Sequence, residues 1–324
     1  MSRVNILGRM PTAPDLKADD ARARRLDPIA VSAALRRLQR SPEAPFLHAE
    51  VARRMAEKLE VIRFEPSVVV DWWSGLGAGA ALLRQAYPKA QAVRVEPGEA
   101  WATRSRAAAA RPWWSAERWV GAAPSVLLES AEVPGPAGLV WANMMLHAVL
   151  DPVALIARWH ALLGVDGFVM FSCLGPGTLR ELRALYARLG WPAPTPGFVD
   201  MHDLGDMLVS AGFADPVMDQ ETLTLRWTSA RALLTELASL GGNTAPDRHA
   251  GLRTPRWRTR LEAELESLAG ADGTIGLSFE VAYGHAFKVA PRVPLAATTT
   301  VTLEDMRSLA RRGARAAQGP KGLR

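Results

Sequence analysis

The sequence predicts an α/β protein, a mostly parallel sheet flanked by helices on both faces. Three observations predict it. Short β-branched apolar runs alternate with longer stretches in which apolar residues recur every three or four positions. The first run, Val68-Val69-Val70, is apolar at successive residues, as a strand buried on both faces should be. That run passes through a glycine-rich turn, Ser74-Gly75-Leu76-Gly77-Ala78-Gly79, straight into helical sequence. Parallel strands joined by helices need crossovers, and chain chirality makes these right-handed.

The elements follow in order. Residues 1–27 are polar and rich in Asp, Lys and Arg, and are expected to form a loose arm. A helix is expected over 28–39, where Ile29, Val31, Leu35 and Leu38 recur at helical spacing, so that 1–43 is an arm and a helix ahead of a main domain of 44–290. A second helix over 45–61 carries Leu47, Val51, Met55 and Leu59 on one stripe. Strand 67–72, the glycine turn and a helix over 80–86 come next, then strand 92–95 ending at Glu96-Pro97 and a helix over 98–110. A third strand is expected near 118–120 and a fourth at 138–142, followed by a helix over 152–163 and a fifth strand at 167–172. The second half reads as helix 178–189, a Pro-rich break at 191–196 and a short helix over 203–211 with Asp203 as its N-cap. Then come an alternating strand over 216–227, helix 229–240, a Gly/Asn/Thr/Pro loop over 241–255, helix 256–268 and a long strand at 275–289.

Composition narrows the classes. At 48% apolar and 22% charged, 324 residues can build a core of ordinary size. No run of eighteen apolar residues appears and the first residues lack a secretory pattern, so neither a membrane span nor export is expected. Cys173 is the single cysteine, which excludes a disulfide within the chain and fits a reducing compartment; the cytoplasm is the expected location. The net charge of +6 comes mostly from arginine, which suits an acidic partner and equally suits a genome that encodes Arg in place of Lys. The segment 291–324 is expected to be a solvated basic tail, with Arg307, Arg311, Arg312, Arg315, Lys321 and Arg324. No nucleic-acid or membrane partner is expected, and the chain is expected to be a monomer.

A strand, a glycine-rich turn and a helix start together make a site for a nucleotide-like ligand, because glycine lets the backbone approach closely. Glu96 ends the next strand, 25 residues after Asp71, where a carboxylate can accept from both hydroxyls of a ribose. Asn143 and His147 follow the fourth strand; His147 is a candidate catalytic group because imidazole titrates near neutral pH, and its alternative is a packed helix-start residue. Cys173 reads as packing. The six histidines show no metal-site spacing, and no metal is expected.

The turn resembles the Asp-x-Gly-x-Gly-x-Gly of class I S-adenosylmethionine-dependent methyltransferases. Asp71 matches the acid, Gly75 and Gly77 match the second and third glycines, and Trp73 stands where the first glycine belongs. The resemblance implies a Rossmann-like, seven-stranded, mostly parallel sheet with its last strand antiparallel, and it implies S-adenosylmethionine as cofactor, held by Asp71, Trp73, Gly75, Gly77, Glu96 and Asn143. Trp73 is placed to fill the space of the cofactor's methionine end. After the expected third strand, Gly121-Ala122-Ala123-Pro124 supplies no acid for the adenine amino group.

The second half is more specific. Phe198-Val199-Asp200-Met201-His202-Asp203-Leu204-Gly205-Asp206, Ala211-Gly212-Phe213-Ala214-Asp215-Pro216 and Leu277-Ser278-Phe279-Glu280-Val281-Ala282-Tyr283-Gly284 resemble the BioC family, the malonyl-acyl-carrier-protein O-methyltransferases of biotin synthesis, and the related mitochondrial complex I assembly-factor branch. The resemblance implies transfer of a methyl group to a malonyl carboxylate on an acidic acyl carrier protein. A carboxylate needs a cation, and Arg180, Arg183 and Arg226 are candidates. The insert over about 190–213 is expected to cover the substrate, with His202 as a possible contact. The alternative is a chain that keeps the fold, has impaired or lost cofactor binding and acts as a binding or assembly factor, or one that methylates another acceptor.

Overall fold

The computed structural model describes residues 25–110 and 123–290. Residues 1–24 of the expected 1–27 arm, the tail of 291–324 and the predicted strand at 118–120 lie outside the described residues. All described residues but Ala290 belong to one unit, Met1–Val289.

Seven strands form one sheet: β1 Val68–Trp72, β2 Gln91–Glu96, β3 Ser125–Leu128, β4 Ala137–Ala142, β5 Leu163–Leu174, β6 Ala214–Trp227 and β7 Ile275–Phe287. Their order is β3-β2-β1-β4-β5-β7-β6. The first five are parallel, and β7 runs antiparallel to both β5 and β6, as the fold class predicted. The third strand among the described residues is Ser125–Leu128, paired to β2 from Val93–Ser125 to Glu96–Leu128. Its four residues are all half-buried at the sheet edge.

The helices are α1 Pro28–Arg40, α2 Phe46–Glu57, the single turn α3 Ser74–Gly77, α4 Ala80–Ala86, α5 Glu99–Ala109, α6 Pro152–Leu162, α7 Arg180–Arg188, α8 Met201–Ser210, α9 Ala230–Ser239 and α10 Pro255–Glu266. Helix α8 starts two residues earlier than predicted. Asp200 is its N-cap, accepting from the His202 N–H at 2.8 Å, and Asp203 lies in the first turn, where a negative charge favours the helix dipole.

Strand side chains alternate between two faces. Val69, Leu139, Trp141, Phe168 and Met170 pack with Leu47, Val51 and Met55 of α2 on one side. Val70, Trp72, Val140, Val169 and Cys173 pack with Leu155, Ile156 and Trp159 of α6 on the other. Cys173 is thus a core residue, its thiol pushed up to about 12 by burial, and it is no nucleophile at neutral pH.

Helix α1 is tied to the far half of the chain. Asp27 caps it, accepting from Ile29 at 2.8 Å, and the same carboxylate meets Arg248 at 2.6 Å. Arg37 Nε donates to Gly241 O at 2.9 Å. These bonds hold α1 and the loop after α9 together at the carboxyl end of the sheet, where ligands of such folds sit.

Candidate active site

The exits of β1, β2 and β3 form one side of this end. The chain leaves β1 through Trp73, whose φ of 55° is left-handed, and leaves the turn through Ala78, also at φ 55°. Each non-glycine residue in that region costs about 1–2 kcal/mol. Trp73 is kept there by its surroundings: its N–H donates to Val95 O at 2.7 Å and its O accepts from Leu76 and Gly77 at 2.9 Å. Gly75 is closely packed. A Cβ there would lie 3.1 Å from Trp101 Cε3 and 3.3 Å from Glu96 Oε1.

That closeness brings the acid of β2 under the turn. Glu96 Oε1 accepts from the Gly75 N–H at 2.9 Å and from the Ser105 hydroxyl. Asp71 Oδ2 accepts from Ser74 Oγ at 2.5 Å. The second oxygen of each, Glu96 Oε2 and Asp71 Oδ1, is buried without a hydrogen-bond donor among the described residues. Burial raises both groups, Asp71 to about 6 and Glu96 to about 7, and the Asp71 charge adds to the rise at Glu96.

A clamp closes the site. Trp72 Nε1–H and Trp73 Nε1–H donate to the two oxygens of Glu129, each at 3.0 Å. Glu129 directly follows β3, and its N–H donates to Glu96 O at 2.8 Å. In the sheet order β2 stands between β1 and β3, so the two indoles reach across the end of β2. Arg158 locks the far side: its Nη2 donates to Ala131 O at 2.7 Å, and its guanidinium lies 5.0 Å over the Trp72 ring. Trp73 is 4% exposed and Glu96 is fully buried. An acid does therefore follow the third strand, and the expectation that Gly121–Pro124 left none there is corrected; the sign that could have found Glu129 was the apolar run Val126-Leu127-Leu128 before it.

Asn143 also differs from expectation. Its Nδ2 donates to His48 O at 2.8 Å and Gly77 O at 2.6 Å, and its Oδ1 accepts from Ser172 Oγ at 2.7 Å. The buried amide joins α2, the glycine turn and β5, with Nδ2 donating twice and Oδ1 accepting once.

The exits of β4 and β5 form the other side and enclose a cavity of about 160 Å³. Its walls come from α1 (Val31, Leu35), the turn (Leu76), the segment 194–198 (Phe198) and the loop after α9 (Asn243). Two imidazoles line it, His48 and His147. His147 stands in a 3-10 turn, Leu146–Ala148, with its ring 6.1 Å from that of Phe198. Burial pushes His48 down to about 4 and His147 to about 3, so both are neutral at pH 7. His48 was missed from sequence because one histidine in an amphipathic helix carries no signal by itself. A larger cleft of about 920 Å³ opens beside residues 62–66 and 85–90, ahead of β1 and β2, at the end of the sheet away from these groups.

The insert does contribute to the cavity, through Pro194, Thr195, Pro196 and Phe198. His202 does not: its side chain is 81% exposed and its Nδ1 meets Asp200 at 2.8 Å. None of the candidate arginines lines the cavity. Arg180 pairs with Glu181 at 3.1 Å on the surface, Arg183 donates to Pro176 O, and Arg226 pairs with Asp272 at 3.0 Å. No group of metal-holding side chains occurs among the described residues.

Comparison with known proteins gives the same outline. No family model matches the chain. The chain is 38% identical over 256 residues to the malonyl-acyl-carrier-protein O-methyltransferase of Laribacter hongkongensis, covering 77% of this chain and 85% of that protein. It is 38% identical over 255 residues to the protein of the same name from Gallionella capsiferriformans, covering 76% and 86%. Among solved structures, a methyltransferase-type protein from Bacillus halodurans C-125 superposes with a TM-score of 0.51 at 12% identity, over 74% of this chain and 100% of that one, which shows the fold alone.

Proposed function

This chain belongs to the malonyl-acyl-carrier-protein O-methyltransferase family, and from that membership we propose that it transfers a methyl group from S-adenosylmethionine to the carboxylate of a malonyl thioester on an acyl carrier protein, a step of biotin precursor synthesis. The observation that carries the proposal is the extent of the similarity, 77% of this chain and 85% of the relative.

The residues at the turn fit the cofactor in kind. Glu96 Oε2 and Asp71 Oδ1 are buried acceptors that lack a donor among the described residues, and the cofactor's ribose hydroxyls and amino group are donors. Gly75 and Gly77 keep the backbone thin, and Glu129 is the acid expected for the adenine amine. The indoles of Trp72 and Trp73 hold that acid in this conformation, so they must release Glu129 as the adenosine enters.

When bound, the cofactor supplies an electrophilic methyl group. The acceptor carboxylate is already a nucleophile at neutral pH, so the chain has no proton to remove from it. What remains is alignment and the exclusion of water. Leu76 stands between the two glycines and also lines the apolar cavity, so one turn forms both the cofactor cradle and a wall of the acceptor site. The ester product has lost its charge. Incubation with S-adenosylmethionine and malonyl carrier protein should add one methyl to the malonyl group, read by mass spectrometry, and the gene should rescue a biotin auxotroph that lacks this step. Cofactor binding without either result would indicate another acceptor.

We also take the chain to act as a cytoplasmic monomer. Light scattering and cell fractionation check both points. No described helix is long and apolar enough to cross a membrane.

The indole clamp favours a second reading: a member of the family with weakened cofactor binding that serves as a binding or assembly factor, as in the complex I branch. Titration with S-adenosylhomocysteine separates the two. The second reading requires binding by the wild type that is absent or far weaker than that of Trp73→Gly.

A further inference from the structure

The carboxyl end of the sheet holds two imidazoles that the reaction as described leaves without a task. His48, in α2, is 4% exposed, and its Nδ1 lies 3.1 Å from Leu76 O. A carbonyl oxygen only accepts, so Nδ1 carries the proton and Nε2 is a bare acceptor. His147 Nδ1 accepts from the Leu174 N–H at 3.3 Å, so its proton is on Nε2. Neither Nε2 has a protein partner among the described residues. The cavity that both rings line contains no Arg, Lys, Asp or Glu from α1, α2, the glycine turn, the β4 and β5 exits, the insert, α9 or the loop after it. It therefore presents one acceptor and one donor nitrogen in an otherwise uncharged lining.

We propose that this pair receives the acceptor's carboxylate: His48 takes up a proton at Nε2 as the carboxylate enters, and His147 Nε2–H donates to the same group. The proposal rests on the malonyl-thioester reading and deepens it. A carboxylate does not enter an apolar cavity without a counter-charge, and the arginines expected to supply one lie elsewhere. Burial keeps both rings neutral in the free protein, and an adjacent anion reverses that preference. His48 is the ring that charges. Its imidazolium keeps both N–H bonds, Nδ1–H to Leu76 O and Nε2–H to the carboxylate. Protonating His147 at Nδ1 would break its bond from Leu174. Methyl transfer forms the O–CH3 bond and breaks the S–CH3 bond, whose electron pair stays on sulfur. The product ester is neutral, the imidazolium is left without a partner, and its proton returns to solvent. One proton enters with the substrate and one leaves with the product.

The test is calorimetric titration of the full chain with malonyl-pantetheine, near neutral pH, in buffers of different ionisation enthalpy. The wild type should take up about one proton per ligand bound. In His48→Asn the amide can still donate to Leu76 O, so the fold is preserved, and uptake should vanish while affinity falls about tenfold or more. His147→Asn should weaken binding and keep the uptake. Binding by the wild type with no proton uptake, or uptake unchanged in a folded His48→Asn, overturns the proposal while leaving the methyltransferase reading intact. A malonyl thioester that is neither bound nor methylated overturns both.

Discussion

The two sides of the sheet's carboxyl end solve one problem in opposite ways. At the β1–β3 exits, buried carboxylates sit under bulky indoles, and Trp72 and Trp73 both spend their N–H on Glu129. At the β4–β5 exits, neutral imidazoles line an open apolar cavity. The first side gathers acids; the second is lined without any charged side chain among the described residues. The contrast teaches that the two sides settle their polar groups differently: Glu129 is paired with the protein's own indole donors, whereas the cavity side presents only neutral groups.

The largest change should come from removing the clamp. Trp73→Gly deletes a buried indole, which costs about 3–5 kcal/mol, and relieves a left-handed non-glycine residue, which returns about 1–2 kcal/mol. The variant should melt earlier than the wild type without ligand and bind S-adenosylhomocysteine more tightly, by about tenfold or more, as read by calorimetry. Unchanged affinity would sink the idea that the indole competes with the cofactor.

Glu129→Gln should act more mildly. The amide keeps one acceptor and turns its NH2 toward an indole N–H, leaving a buried donor unpaired at about 1–3 kcal/mol. Denaturant unfolding should show that loss; a variant as stable as the wild type would mean that the clamp contributes nothing to the fold.

The buried acids add a pH signature. Glu96 keeps its proton up to about pH 7 in the folded state and releases it near its ordinary value of 4.5 when unfolded. Stability from this group is full below the unfolded value and declines as pH rises between the two, because the folded state binds more protons there. Asp71 acts in the same direction up to about pH 6. A ligand that donates to the ionised oxygens reverses the preference, so cofactor affinity should climb across that window. Calorimetry at the two ends of the window checks the sign.

The smallest effect tests the open side. Arg180→Ala removes a surface pair and should change stability by less than about 0.5 kcal/mol and leave the KM for malonyl carrier protein unchanged. A large rise in KM would return the carboxylate to arginine and blur the contrast.

Much of this was legible in the sequence. The valine run, the glycine turn and the alternation of strands and helices come from local patterning; the sheet order does not. The placement of Asp71, Glu96 and the glycines at one end of the sheet was legible because it depends on spacing along one strand-turn-helix unit. Strand β3 was not, although Val126-Leu127-Leu128 is an apolar run, because four residues carry too little pattern to stand out, and without β3 Glu129 went unnoticed. Asn143 looked like a ligand contact because its position at the end of β4 is visible while its partners, 66 and 95 residues away, are not. The arginines and His202 were chosen by chemical type alone, and their type says nothing about the direction in which the chain carries them.

By itself, then, the sequence determined the fold class, the family and the placement of the glycine turn with its flanking acids, since hydrophobic period and turn chemistry are properties of neighbours along the chain. The tertiary structure alone decided which way the indole at 73 turns, which acid it meets, and that His48 and His147, 99 residues apart (147 minus 48), line one cavity. Those are contacts between distant segments, set by how helices and strands close-pack, and no local pattern encodes them.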